Sequence, residues 1–306
     1  MFPVVAVVGV TASGKSDLSV ELATRWDGEI VNADAMQLYR GMDIGTAKLT
    51  LSERRGVVHH LLDVLDVREE ASVRAFQRQA RSVLDGLADR GRPGLLVGGS
   101  GLYLRAVLDD LDLPPTDPVV RGRLEAELAE VGAPVLHERL AALDPRAAAH
   151  ILPGNGRRVV RALEVVELTG GPFTAVLPDP CYRRPAVQLG LSVPRPVLDA
   201  RIEARVHRMW EAGLVEEVRE LLGRGLAEGR TAARALGYAQ AIRQVHGECS
   251  EAEAIEDTVR ATRRFARRQE SWFRRDPRIR WLPHDAPDLV ERAVAEVDEA
   301  LRTLTS

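Results

Sequence analysis

The sequence predicts an α/β fold, a parallel sheet flanked by helices, with an inserted helical domain and a helical C-terminal region. Three observations carry this prediction. The first hundred residues alternate strand-like and helix-like segments, the pattern of a sheet covered by helices on both faces. The stretch Gly9-Val10-Thr11-Ala12-Ser13-Gly14-Lys15-Ser16 fits Gly-x-x-x-x-Gly-Lys-Ser/Thr and lies between an apolar run and an amphipathic one. That motif in that context makes the core P-loop NTPase-like. From about Pro114 the composition shifts to Ala, Leu, Glu and Arg, and strand character returns only near Val187.

The elements follow in order. Val4 to Val8 reads as a buried strand, and Asp17 to Ala23 as a helix with one apolar face. Glu29-Ile30-Val31-Asn32 is a second strand and Val57 to Asp63 a third candidate. Ser72 to Arg90 has helical periodicity, and Gly94 to Gly99 is a strand ending in glycines. Pro114 to Thr169 reads as all helix, closed by a Gly-Gly-Pro break at residues 170–172. Val187 to Val193 resumes the sheet. The tail from Leu198 is mostly helical, with one more strand expected at Ile279 to Leu282. The predicted organisation is therefore a P-loop core over residues 1–113 and 185–306, with a helical domain at 114–184 inserted as a lid or substrate-binding arm.

Composition bounds the function. The chain has 306 residues, 45% hydrophobic and 28% charged, as a globular protein does. Its net charge of -3 gives no overall attraction to nucleic acid, so any such binding must use local patches. Cys181 and Cys249 have no metal-ligand spacing and are expected to be inert thiols in a reducing compartment. The apolar N-terminus has no basic leader and runs into the P-loop, so it is read as a strand. No stretch has the apolar length of a membrane span. A cytoplasmic monomer is expected.

The chemistry starts at the P-loop. A strand, a glycine loop and a helix N-terminus aim backbone N–H groups at one point, which binds oligophosphate. Lys15 reaches the terminal phosphates, and the Ser16 hydroxyl is placed to ligate Mg²⁺. Asp34 closes a strand at the edge where the P-loop also opens. It suits a general base or a water-mediated Mg²⁺ ligand, and equally an N-cap for a helix starting near Ala35. Ser100, after Gly98-Gly99, can meet a phosphate or orient a base, or simply cap a turn. The strand Leu95-Leu96-Val97 ends in Gly-Gly and lacks the Asp that commonly holds Mg²⁺ in NTPases. Asp63 is a weak substitute. Arg157, Arg158 and Arg161 share a helical face, with Val159, Leu163 and Val166 available for a core. A second arginine cluster between Arg260 and Arg280, interleaved with Phe265, Trp272 and Phe273, suits an anionic partner.

Together these pieces resemble the bacterial tRNA dimethylallyltransferases, also called tRNA isopentenyltransferases. The resemblance runs through the P-loop, the block from Asn32-Ala-Asp-Ala-Met-Gln to Gly45-Thr-Ala-Lys48, His59-His-Leu-Leu-Asp63, and Leu96-Val-Gly-Gly-Ser-Gly-Leu-Tyr103. It continues through Arg161 to Val165, Gly213 to Val218, and Thr262 to Gln269 with Trp272-Phe-Arg274. Where the family commonly has Asp-Ser-Met-Gln and Gly-Gly-Thr, this chain has Ala35 and Ser100.

The resemblance implies a substrate pair. The P-loop, Gly9 to Ser16, holds the diphosphate of dimethylallyl diphosphate with Mg²⁺ on Ser16, and Arg205 is a second phosphate contact. The acceptor is N6 of adenine 37, beside the anticodon of tRNAs reading codons that begin with U. It implies Asp34 as general base, with Lys15 and Ser100 also in the chemistry. Asp34, Ala35, Met36, Gln37 and Ser100 line the adenine pocket. Arg121 and the stretch Arg157, Arg158, Val159, Val160 and Arg161 contact the anticodon stem-loop. The competing expectations are prenylation of free adenine nucleotide, a P-loop nucleoside-phosphate kinase, and a non-catalytic RNA-binding module.

Overall fold

A computed structural model describes residues 2–174 and 177–305. Ala175 and Val176, inside the predicted insertion, lie outside the described residues. The chain divides into two compact units, one formed by residues up to Asp110 and from Tyr182 onward, the other by Leu111–Cys181.

The first unit is built on a six-stranded sheet in the order β3-β2-β4-β1-β5-β6. The strands are β1 (Val4–Val8), β2 (Glu29–Asn32), β3 (His59–His60), β4 (Gly94–Gly98), β5 (Ala186–Ser192) and β6 (Ile279–Pro283). Every pairing is parallel. A parallel sheet must be covered on both faces, and its strands read as continuous apolar runs. β1 obeys this, with all five residues buried. Its alternation splits the core. Val4, Ala6 and Val8 pack with residues of α2 (Val73–Asp89) and α3 (Gly101–Leu108). Val5 and Val7 pack with residues of α1 (Lys15–Trp26) and of α12 (Leu289–Thr305). A third cluster joins α8 (Arg195–Glu211), α9 (Leu214–Gly223), α10 (Tyr238–Val245) and α11 (Glu251–Phe273) to Tyr39 and Met42 of the loop after β2.

Two expectations need correction here. The third strand is only His59–His60, not Val57 to Asp63. Leu61 and Asp63 take φ of 59° and 58°, which ends the extended backbone. No helix begins at Ala35 either. Residues 33–48 form an irregular loop, so Asp34 is not a helix cap.

The second unit is helical: α4 (Pro118–Val131), α5 (Ala133–Leu143), α6 (Pro145–Ala149) and α7 (Gly156–Thr169). The sequence sets the breaks. Asp117, Asp144 and Asn155 cap α4, α6 and α7 through side-chain oxygens, and Pro118 and Pro145 stand in the first turns that follow. Leu124, Leu136, Leu140, Val159 and Leu163 form its core. Among the described residues of the chain, no helix is long and apolar enough to cross a membrane.

Candidate active site at the carboxyl edge of the sheet

Because all six strands run the same way, their C-terminal ends meet at one edge, the usual ligand crevice of such sheets. The P-loop leaves β1 there, the Asp34 loop leaves β2, and Gly99-Ser100 leaves β4. α8 supplies Arg205 to the same place.

The P-loop ends at Gly14, whose φ of 95° turns the chain into α1, and no side chain caps that helix. The first-turn N–H groups and the helix dipole therefore face the loop's interior, which favours an anion. The Ser13 hydroxyl is buried inside the loop against Gly9 and has no hydrogen-bond partner. A buried hydroxyl left unsatisfied is a costly feature that a bound acceptor relieves. Lys15 Nζ donates to the Val10 carbonyl at 3.1 Å. Burial pulls the Lys15 pKa down to about 8, opposed by the charge of Asp34 and reinforced by Arg205. A bound anion beside the ammonium would favour its charged form. Arg205 Nη1 donates to Thr11 Oγ1 at 3.3 Å, and burial also lowers its pKa, again opposed by Asp34. Two cations and one carboxylate thus face a common space at the loop.

Asp34 is held by its own turn. Its N–H donates to Asn32 Oδ1 at 2.9 Å, and its Oδ1 accepts from Met36 N–H at 3.0 Å. Buried Asn32 donates in turn to the carbonyls of Asp34 and Leu61. Ser100 occupies the N-cap position of α3 but does not cap it with its side chain. Its Oγ instead accepts from Ala35 N–H at 3.4 Å, so it joins the β4 loop to the Asp34 loop. Tyr103 lies on the same side, its phenol pKa pushed up by burial and by the charges of Tyr39 and Asp34.

The rest of the Asp34 loop is pinned from behind. Lys48 Nζ donates to Asp43 at 2.5 Å, to Asp63 at 2.6 Å and to the Tyr39 carbonyl at 3.0 Å. This assigns Asp63 to a buried ammonium and leaves it unsuited as the substitute Mg²⁺ ligand. Glu217 accepts from Asp43 N–H, Ile44 N–H and the Tyr238 hydroxyl. Gln37 Nε2 donates to the Thr46 carbonyl at 3.1 Å.

Sequence reasoning gave no role to one residue of this site. Gln269 of α11 accepts from Thr11 N–H at 2.9 Å and donates to the Gly99 carbonyl at 2.9 Å. It is only 7% exposed. A Cβ on Gly99 would lie 2.4 Å from its Nε2, and one on Gly101 would lie 2.1 Å from Trp272 Nε1, so both glycines are needed for α11 to approach. The signal was present: Ala266, Gln269 and Phe273 follow at helical spacing, which puts a polar residue on a buried stripe.

Arg121, Arg157, Arg158, Val159, Val160 and Arg161 belong to the helical unit. Arg157 and Arg158 are exposed in the first turn of α7. Val159 and Val160 follow them in the same helix, with their side chains turned inward. They are 0% and 3% exposed and pack in the unit's core, because their positions face Leu124 and Leu136 rather than solvent. Arg121 and Arg161 are committed as well, each within 2.8 Å of the fully buried Glu164 carboxylate. Arg161 also donates to the Pro114 and Pro115 carbonyls. Their first job is to neutralise a buried charge.

A sequence profile of the IPP transferase family matches residues 37–276. The chain belongs to this family. It is 67% identical over 304 residues to the tRNA dimethylallyltransferase of Thermobifida fusca, covering 98% of this chain and 95% of the relative. It is 66% identical over 292 residues to that of Kineococcus radiotolerans, covering 94% and 92%. Among solved structures it is similar to a tRNA isopentenylpyrophosphate transferase from Bacillus halodurans, with a TM-score of 0.72, 38% identity and full coverage of both chains. It is also similar to a eukaryotic dimethylallyltransferase acting on tRNA, with a TM-score of 0.85, 25% identity, and coverage of 99% of this chain and 80% of that one. The matched region includes Gln37, Lys48, Ser100, Arg205, Glu217 and Gln269, so the Lys48 and Glu217 contacts and the Gln269–Gly99 bond lie inside it, while the P-loop and Asp34 precede it.

Proposed function

We propose that this protein transfers the dimethylallyl group of dimethylallyl diphosphate to N6 of adenine 37 in tRNAs that read codons beginning with U, releasing pyrophosphate. The observation that carries the reading is the meeting of a phosphate loop and a strand-end carboxylate, Asp34, at one crevice in a member of the IPP transferase family.

The acceptor amine is a poor nucleophile because its lone pair is delocalised into the ring. As the N6–carbon bond forms, the bond from that carbon to diphosphate breaks and its electron pair leaves with pyrophosphate. The N6 proton passes to Asp34, whose Oδ1 is held by Met36 N–H and whose Oδ2 takes the proton. Loop N–H groups, the Ser13 hydroxyl, Lys15 and Arg205 stabilise the charge that develops on the leaving group. The adenine must leave its stack to reach Asp34, so it is flipped, and Ala35, Met36, Gln37 and Ser100 line its pocket.

Among the described residues no group of three or more His, Cys, Asp or Glu side chains is arranged to hold a metal. The donors present suit Mg²⁺ held mainly by diphosphate oxygens and water with the Ser16 hydroxyl, as Mg²⁺ is often bound. When bound it would neutralise charge on the leaving diphosphate. The absence of an Asp at the end of β4 fits a diphosphate donor better than a phosphoryl-transfer enzyme. The same reading places the protein in the cytoplasm with its tRNA substrate.

Arg157 and Arg158 are proposed to contact the tRNA backbone. A transfer assay offering an anticodon stem-loop and AMP side by side tests the acceptor: the stem-loop is modified and AMP is not. In the same assay the Arg157→Ala, Arg158→Ala double variant needs more stem-loop for half-maximal rate. Its slope of log affinity against log salt falls by up to about two phosphate contacts. Transfer to AMP alone would overturn the RNA reading, and an unchanged salt slope would remove α7 from the interface. Arg161 is left intact in this test because Glu164 depends on it.

A further inference from the structure

We propose that Gln269 is a positioning residue, which sets the separation between the diphosphate loop and the Ser100–Asp34 side of the crevice and so aligns donor with acceptor. This rests on the reading above.

The main-chain ladder between β1 and β4 ends at Val8↔Gly98. Beyond it the two chains carry opposite halves of the reaction. One continues into the P-loop, which holds the leaving group. The other continues to Gly99 and Ser100, and Ser100 accepts from the Ala35 N–H next to the base Asp34. Gln269 spans this gap with one bond to each side, to Thr11 N–H and to the Gly99 carbonyl.

The two partners fix the orientation of the amide, since an N–H needs the oxygen and a carbonyl needs the nitrogen. A carboxamide alone among the side chains of this length satisfies both. A Glu keeps only the bond to Thr11, and a Leu fills the space with neither. The residue is buried and needs Gly99 to come this close. The helix that delivers it also seats Trp272 against Gly101, so α11 holds the β4 loop at two points. Arg264, Arg267 and Arg268, on the same helix, are exposed.

Misplacing reacting groups by about an ångström costs on the order of 10² in rate. The test is a single-turnover assay on the full chain with enzyme in excess over tRNA, dimethylallyl diphosphate and Mg²⁺ saturating. It compares wild type with Gln269→Leu and Gln269→Glu. A positioning role predicts that the rate constant falls about 10- to 100-fold in Gln269→Leu while the amplitude and the tRNA dissociation constant stay near wild type. Gln269→Glu, which nearly preserves shape, also slows at saturating dimethylallyl diphosphate, because its donation to Gly99 is lost; its melting temperature and diphosphate affinity, measured in parallel, separate this from the cost of the buried charge. A merely structural role would lower the amplitude and the melting temperature and leave the rate constant of the folded fraction unchanged. That result, or wild-type rate constants in both variants, overturns the proposal. A wild-type protein that transfers nothing would instead overturn the underlying functional reading.

Discussion

Replacing Asp34 by Asn is expected to lower single-turnover transfer about 10²- to 10⁴-fold, the usual contribution of a positioned general base. The substitution is unusually clean at this site. The amide oxygen of Asn can still accept from Met36 N–H, and the Asp34 N–H still reaches Asn32, so the turn survives. Only the second oxygen, the one proposed to take the N6 proton, is replaced, by an amide NH2 that cannot accept it. The dissociation constant for tRNA should stay within a few-fold of wild type. Removing the carboxylate also removes the charge that favours protonation of Lys15 and Arg205, so diphosphate affinity has to be measured in parallel. Transfer within a few-fold of wild type would falsify the general-base role and leave Asp34 a turn-forming residue.

Lys15→Ala is expected to weaken binding of a non-reactive thio-analogue of dimethylallyl diphosphate, measured by calorimetry, by about 10- to 100-fold. That range follows from the roughly 1.5–3 kcal/mol typical of a hydrogen bond to a charged group. The transfer rate should fall as well, since the ammonium also meets the charge that grows on the departing pyrophosphate. The protein should remain folded. Lys15 makes one hydrogen bond, to the Val10 carbonyl, and its burial already disfavours its charged form before a ligand arrives. Unchanged affinity together with an unchanged rate would remove the diphosphate from this loop.

The core was legible because parallel strands buried on both faces leave continuous apolar runs, and Val4–Val8 and Gly94–Gly98 are such runs. The P-loop was legible because its function fixes residue types at fixed spacing. The edge strand was overestimated because Val57 to Asp63 has strand composition, while positive φ at Leu61 and Asp63 serves the buried Lys48 and the Asp34 loop. Periodicity reports nothing about such a tertiary demand. The fate of Val159, Val160, Arg121 and Arg161 was hidden for a similar reason. A stretch of sequence next to exposed arginines does not reveal that Glu164 is buried beneath it and must be neutralised. Gln269 was missed because its two partners lie 258 and 170 residues away in the chain.

The central claim is tested most directly by mass spectrometry of nucleosides from unmodified tRNA incubated with the protein, Mg²⁺ and dimethylallyl diphosphate. The expected result is N6-dimethylallyladenosine at position 37 of tRNAs that read codons beginning with U, formed with one pyrophosphate per modification and formed far more slowly when the Asp34→Asn protein is used. Unmodified adenosine at position 37 with the wild-type protein, or modification at another nucleoside, would contradict it.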